Sequence, residues 1–87
     1  MYKEVSFLLR SKTSFSILKC LDVSDRPMSP LQISRKISVS RSNISANMSK
    51  LLERNLVKCL NPGDPKWRFY EISSKGRQVL KKLKGIG

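Results

Sequence analysis

The stretch Ser40-Arg41-Ser42-Asn43-Ile44-Ser45-Ala46-Asn47-Met48-Ser49-Lys50-Leu51-Leu52-Glu53-Arg54 decides the fold of this chain. Ile44, Met48, Leu51 and Leu52, followed by Leu56, recur at helical spacing and define one buried face. The opposite face carries Arg41, Ser42, Asn43, Ala46, Asn47 and Lys50, with Glu53 alone acidic and close to the end. A solvated helix would mix Glu with Lys in i,i+4 pairs, and this one does not. Arg and Lys donate to guanine edges and phosphates, and Asn bonds adenine bidentately, so the free face is suited to a DNA groove.

Upstream, Ser29-Pro30-Leu31-Gln32 is a strong helix start. Ser29 caps, Pro30 suits the first helical position and Gln32 completes a capping box. The short helix it opens turns Leu31, Ile33 and Ile37 inward and Arg35 and Lys36 outward. Ser38-Val39-Ser40 is a tight turn, with Ser40 capping the next helix. Two helices so joined, the second polar on its free face, form a helix-turn-helix over 30–54.

Downstream, Asn55 suits the left-handed residue that ends a helix. Leu56 to Leu60 reads as a strand, Asn61-Pro62-Gly63-Asp64-Pro65 as a turn and Lys66 to Ile72 as a second, aromatic strand. This hairpin, 56–72, is a wing beside the helix-turn-helix. Tyr70 and Ile72 share a face assigned to the core. Ser73 and Ser74 cap a last helix, 74–84, striped by Val79, Leu80 and Leu83. Its other face is basic through Arg77, Lys81, Lys82 and Lys84.

Before the helix-turn-helix, a helix capped within Ser11–Ser14 runs through Asp22, followed by a loop at Asp25-Arg26-Pro27-Met28. Residues 1–12, with Val5, Phe7, Leu8 and Leu9, form either a helix or an extended arm. Such a terminal patch is also a candidate for packing on a second subunit. The whole, 1–87, is expected to be one domain: α+β, mostly α, a winged helix-turn-helix with a two-stranded wing and N- and C-terminal helices.

Composition agrees. The 87 residues hold 18 Lys and Arg against 6 Asp and Glu, a formal charge of +12 that points to an anionic partner, foremost nucleic acid. Hydrophobic residues at 39% suffice for a small core and exclude a disordered basic tail. Histidine is absent and the carboxylates are scattered, so neither catalysis nor a metal site is expected. Cys20 and Cys59 lack ligand spacing and read as buried, reduced thiols. No stretch has the length of a membrane span and the start lacks a signal-peptide layout, which places the chain in the cytoplasm, with the nucleoid.

Three motifs then carry a resemblance. Pro30-Leu31-Gln32-Ile33-Ser34 is similar to the helix entry P-x-x-I-A, and Leu51-Leu52-Glu53-Arg54-Asn55-Leu56-Val57 to the exit L-x-x-x-G-L-V. Asp64-x-Lys66, with Ile72-Ser73-x-x-Gly76, is similar to the wing pattern D-x-R-x5-L-T-x-x-G. From Ser29 to Leu83 the chain resembles bacterial and archaeal winged-helix repressors, nearest the multiple-antibiotic-resistance regulator class and the arsenic-sensor-like archaeal regulators. Ser34, Asn55 and Ser38 replace the family's Ala, Gly and Gly with small or αL-tolerant residues. Lys66 stands where the wing Arg would be, leaving Lys66 and Arg68 as alternatives for the minor groove. The arsenic sensors' cysteine-rich metal motif is missing, so metal sensing is not carried over.

The polar-cationic face, the wing and the charge point to a sequence-specific regulator binding double-stranded DNA, and the resemblance implies a homodimer; no cofactor is expected and no small-molecule ligand is evident in the sequence. Expected base contacts are Arg41, Ser42, Asn43 and Asn47. Lys50 is assigned to phosphate, and Lys66 and Arg68 to the backbone or minor groove. Trp67 is assigned to core or subunit packing rather than to sugar stacking. The Phe7–Leu9 patch and the Val79, Leu80 and Leu83 stripe are candidate dimer surfaces. The competing function is an architectural DNA- or RNA-binding winged helix without base readout, which the serines at 42, 45 and 49 also suit.

Overall fold

The computed structural model describes residues 2–64 and 66–86; Met1, Gly87 and the Pro65 end of the expected turn lie outside the described residues. Element order is α1 (Tyr2–Arg10), α2 (Lys12–Val23), α3 (Pro30–Ile37), α4 (Arg41–Glu53), β1 (Val57–Cys59), β2 (Tyr70–Ile72) and α5 (Ser74–Ile86). This is the winged helix-turn-helix that the sequence leads one to expect.

Local signals set the helix ends. Ser29 accepts from the Gln32 amide at 3.3 Å and Gln32 Oε1 accepts from the Ser29 amide at 2.9 Å, completing the capping box of α3. Ser38 ends α3 in the left-handed region at φ 58°, and Asn55 follows α4 at φ 60°. Ser40 caps α4 through the Asn43 amide at 3.3 Å. Ser73 accepts from the Gly76 amide at 2.9 Å, starting α5.

The core gathers from every layer. Leu8 of α1, Ile17 and Leu18 of α2, Ile33 of α3, Ile44 and Leu51 of α4, Leu56 and Val79 are all fully buried. Each contributes about 1.5–3 kcal/mol of apolar burial. Tyr70 and Ile72 are buried as expected, and Cys20 is a buried free thiol, whereas the free Cys59 is only half-buried.

Three expectations change, and one open alternative closes. Of helix or extended arm, segment 1–12 forms the helix, Tyr2–Arg10, with α2 starting at Lys12. Leu8 of α1, and Val79, Leu80 and Leu83 of α5, lie in this chain's own core, which leaves Leu9 exposed and removes both patches as intact dimer surfaces. Met28, read as loop, makes an antiparallel bridge with Tyr70, exchanging bonds of 2.9 and 2.8 Å. The strands are also shorter than 56–60 and 66–72: the ladder pairs only Val57 with Ile72, Lys58 with Glu71 and Cys59 with Tyr70. One further bond, Leu60 N–H to the Phe69 carbonyl at 2.9 Å, extends it.

Side chains take over where the strands stop. Asn61 Oδ1 accepts from the Phe69 amide at 2.8 Å, and its Nδ2 donates to the Trp67 carbonyl. Asp64 Oδ1 accepts from the amides of Lys66 and Trp67, each at 2.8 Å. These local bonds satisfy backbone groups a ladder would otherwise use, so the wing tip is a side-chain-capped loop.

Candidate nucleic-acid interface

Helix α4 presents two working edges. On the wing side, Arg41, Ser45 and Ser49 recur every four residues and line an open cleft of about 700 Å3 with Lys66, Trp67 and Arg68 of the wing tip. Met48, Leu52 and Tyr70 share that lining, with the start of α3 at Ser29, Pro30 and Leu31. Among the described residues the lining holds three cations and no carboxylate, so Arg41, Lys66 and Arg68 reinforce one another's attraction for a polyanion. Trp67 is 57% exposed, which rules out the core half of its assignment to core or subunit packing.

Local hydrogen bonds tie the tip together under those cations. Arg68 Nε donates to the Asp64 carbonyl at 3.1 Å. The Trp67 and Lys66 amides on its carboxylate hold Asp64 below the usual carboxylate range, so it stays ionised and keeps the turn closed.

The other edge faces the α1–α2 junction. Asn47 Oδ1 accepts from the Ser14 hydroxyl at 2.8 Å and from the Ser11 hydroxyl at 3.2 Å. Its Nδ2 donates to the Asn43 carbonyl at 2.9 Å and to Asn43 Oδ1 at 2.7 Å. Asn47, expected to read a base, thus has both ends of its amide engaged within the chain. Arg41, Ser42, Asn43 and Lys50 are exposed, and Ser42 Oγ lies 3.4 Å from the capping Ser40 Oγ.

The structure therefore brings Arg41, Lys66 and Arg68 together. It leaves Ser42 and Asn43 open in the first turn of α4 and sets Asn47 behind Asn43. Ser45 and Ser49 join the cleft, which helical spacing from Arg41 could have shown. The placement of Ser11 and Ser14 against Asn47 has no local signal. Three other carboxylates are paired elsewhere: Glu71 with Lys58 at 3.2 Å, Asp22 with Arg77 at 3.3 Å and Lys84 at 3.5 Å, and Glu4 with Lys75 at 3.0 Å. No helix among the described residues is long and apolar enough to cross a membrane.

A capped helix-turn-helix, a cationic two-stranded wing and a closing helix define the winged-helix DNA-binding module of transcription regulators. The chain belongs to the Helix-turn-helix domain family, whose model matches residues 9–59. It is 31% identical over 77 residues to the candidate arsenical resistance operon repressor ArsR of Halobacterium salinarum, covering 88% of this chain and 58% of that protein. The transcriptional regulator BldR from Sulfolobus solfataricus has the same fold, with TM-score 0.72 and 32% identity over 87% of this chain and 57% of its own. The transcriptional repressor CouR, solved bound to a 23-mer DNA duplex, gives TM-score 0.71 and 26% identity over 82% of this chain and 50% of its own. The chain thus spans little more than half the length of these relatives. Family and fold are those of transcription regulators, not of enzymes.

Proposed function

We propose that this chain binds duplex DNA in a sequence-specific manner as a homodimeric transcription regulator, in the cytoplasm. Helix α4 lies in the major groove with Arg41, Ser42 and Asn43 at base edges and Lys50 at phosphate. The wing tip sets Lys66 and Arg68 on the backbone or in the adjacent minor groove. Asn47 acts on the base-reading face through Asn43 rather than by contact of its own amide.

One observation carries this reading: Arg41, Lys66 and Arg68 converge on one carboxylate-free cleft beside the exposed first turn of α4. Two elements distant in sequence present cations to the same space, as a groove-reading helix and a backbone-holding wing require. The DNA-bound relative of the same fold supports it.

Selection of bound duplexes from a random pool tests the proposal. The expected result is an enriched motif with two related half-sites about one helical turn apart. A pool left without any enriched motif, with equal competition by random duplex and RNA, overturns base readout in favour of an architectural role. A sedimentation mass of one chain at every concentration, with and without DNA, overturns the homodimer.

A further inference from the structure

We propose that Ser14, fully buried on α2 and so out of reach of DNA, sets how sharply Asn43 discriminates between bases. It acts through Asn47, which it holds in place, and Ser11 shares the task. The inference rests on the proposed DNA-binding function and adds to it residues that never touch the duplex.

The Asn47 amide is saturated within the chain. Its oxygen has two lone pairs, and the hydroxyls of Ser14 and Ser11 donate to it at 2.8 and 3.2 Å. Its nitrogen has two hydrogens, which go to the Asn43 carbonyl at 2.9 Å and to Asn43 Oδ1 at 2.7 Å. Turning the amide over would set its oxygen against the Asn43 carbonyl, which can only accept. Among the described residues the Ser14 hydroxyl bonds Asn47 alone. Moving Asn47 towards a base would leave that hydroxyl buried and unpaired, a cost that keeps Asn47 seated.

Asn43 is exposed in the first turn of α4, where an untied asparagine would sample several side-chain poses. The bond from Asn47 holds it to one. Its Nδ2 and the second lone pair of its Oδ1 make no further bond among the described residues, so both stay open to a base edge. Asn43 therefore meets the groove already ordered, and less ordering cost opposes its contact with the correct base. Ser11 ties the same anchor to the start of α2, because its oxygen also accepts from the Ser14 amide at 3.4 Å. Ser14 and Asn47 are positioning residues, 33 positions apart in sequence.

Motif selection with the whole chain, parent and Asn43→Ala, first identifies the position that Asn43 reads. Affinities for the selected duplex, and for duplexes changed at each position, are then measured by anisotropy of labelled DNA. Asn47→Ala and Ser14→Ala should each lower the discrimination at Asn43's position by about two- to tenfold, the effect of one side chain left unordered. Discrimination at every other position should stay that of the parent. In an Asn43→Ala background the same two substitutions should change affinity by less than about twofold, because the side chain they position is gone. A general loosening of α4 would weaken binding in both backgrounds.

Discrimination equal to the parent's in Asn47→Ala or in Ser14→Ala overturns the inference. So does a loss spread over all positions, or one of equal size in the parent and Asn43→Ala backgrounds. An enriched motif in which Asn43→Ala flattens no position overturns it too, and leaves sequence-specific binding standing. A parent that enriches no motif overturns the proposed function and this inference with it.

Discussion

Glu4 on the first helix and Lys75 on the last meet at 3.0 Å, closing the two ends of the fold on each other. Lys75 Nζ also donates to the Arg54 carbonyl at 3.0 Å, and the Arg54 guanidinium lies 4.2 Å from the Phe7 ring centroid. One cluster therefore ties α1, the end of α4 and α5 together. It gives α1 a polar reason to dock besides the burial of Leu8.

The pair sets an acid limit. The bond from Lys75, with Glu4's own backbone amide, takes the Glu4 carboxyl from 4.5 down to about 2. Because the folded pKa is the lower one, the contribution is present above about pH 4.5 and is lost as pH falls towards 2. Urea midpoints of the parent and Glu4→Gln should differ at pH 6 and converge as pH approaches 2. A gap that stays constant with pH would remove Glu4 from acid unfolding.

Gly76 packs where no side chain fits. A Cβ there would stand 2.2 Å from the Leu56 carbonyl oxygen and 2.8 Å from Ile72 Cγ1. The nearer obstacle is backbone, so α5 must shift away from the sheet. Gly76→Ala should destabilise by about 2–3 kcal/mol, despite alanine's better helix propensity. Thermal unfolding should show a fall of at least several degrees, and an unchanged midpoint would refute the close approach.

The helix-turn-helix carries a strain that can be relieved. Ser38 sits at φ 58° and ψ 47°, a conformation that disfavours a Cβ by about 1–2 kcal/mol, partly offset by glycine's greater freedom when unfolded. Ser38→Gly should therefore stabilise by about 0.5–1 kcal/mol net. Denaturant titration reads this directly, and Ser38→Val should move the other way.

These contacts show what the sequence could and could not disclose. The helix boundaries were legible because their determinants are local: Ser29 with Gln32, Ser40 with Asn43, and the αL-tolerant Ser38 and Asn55. The wing was legible in existence but not in extent. The aromatic residues Trp67, Phe69 and Tyr70 favour a strand, yet Asn61 and Asp64 divert backbone donors of that segment into a capped tip. The role of Asn47 was hidden for a different reason. Helical spacing puts it on the face of Asn43, while Ser11 and Ser14 reach it only through the packing of α2 on α4. The burial of Leu8, Val79, Leu80 and Leu83 within the chain was hidden likewise, since an apolar stripe does not say whether its cover comes from the same chain.

Salt dependence should separate the cleft cations from the base-reading turn. Lys66→Ala and Arg68→Ala should weaken binding on all duplexes, each making the log-log salt slope about 0.9 shallower for a lost phosphate contact. Asn43→Ala should leave that slope nearly unchanged while relaxing preference at one position, with a loss of about 1–3 kcal/mol on the selected site. Identical slopes for parent and wing variants would take the wing off the phosphates.

Trp67 supplies the most direct view of the wing. It is the sole tryptophan of the chain, 57% exposed, on the lining shared by Arg41, Lys66 and Arg68. Its emission should be that of a solvated indole in the free protein and should change in intensity or wavelength as duplex saturates the chain. Asp64→Ala removes the acceptor for the Lys66 and Trp67 amides and should loosen the tip. That variant should unfold close to the parent's midpoint, because the tip lies outside the core, yet bind duplex more weakly and show a smaller emission change. Fluorescence anisotropy of labelled duplex gives the saturation point independently of the indole. An emission that stays constant through saturation would place the wing away from the DNA and leave α4 as the reading element without it.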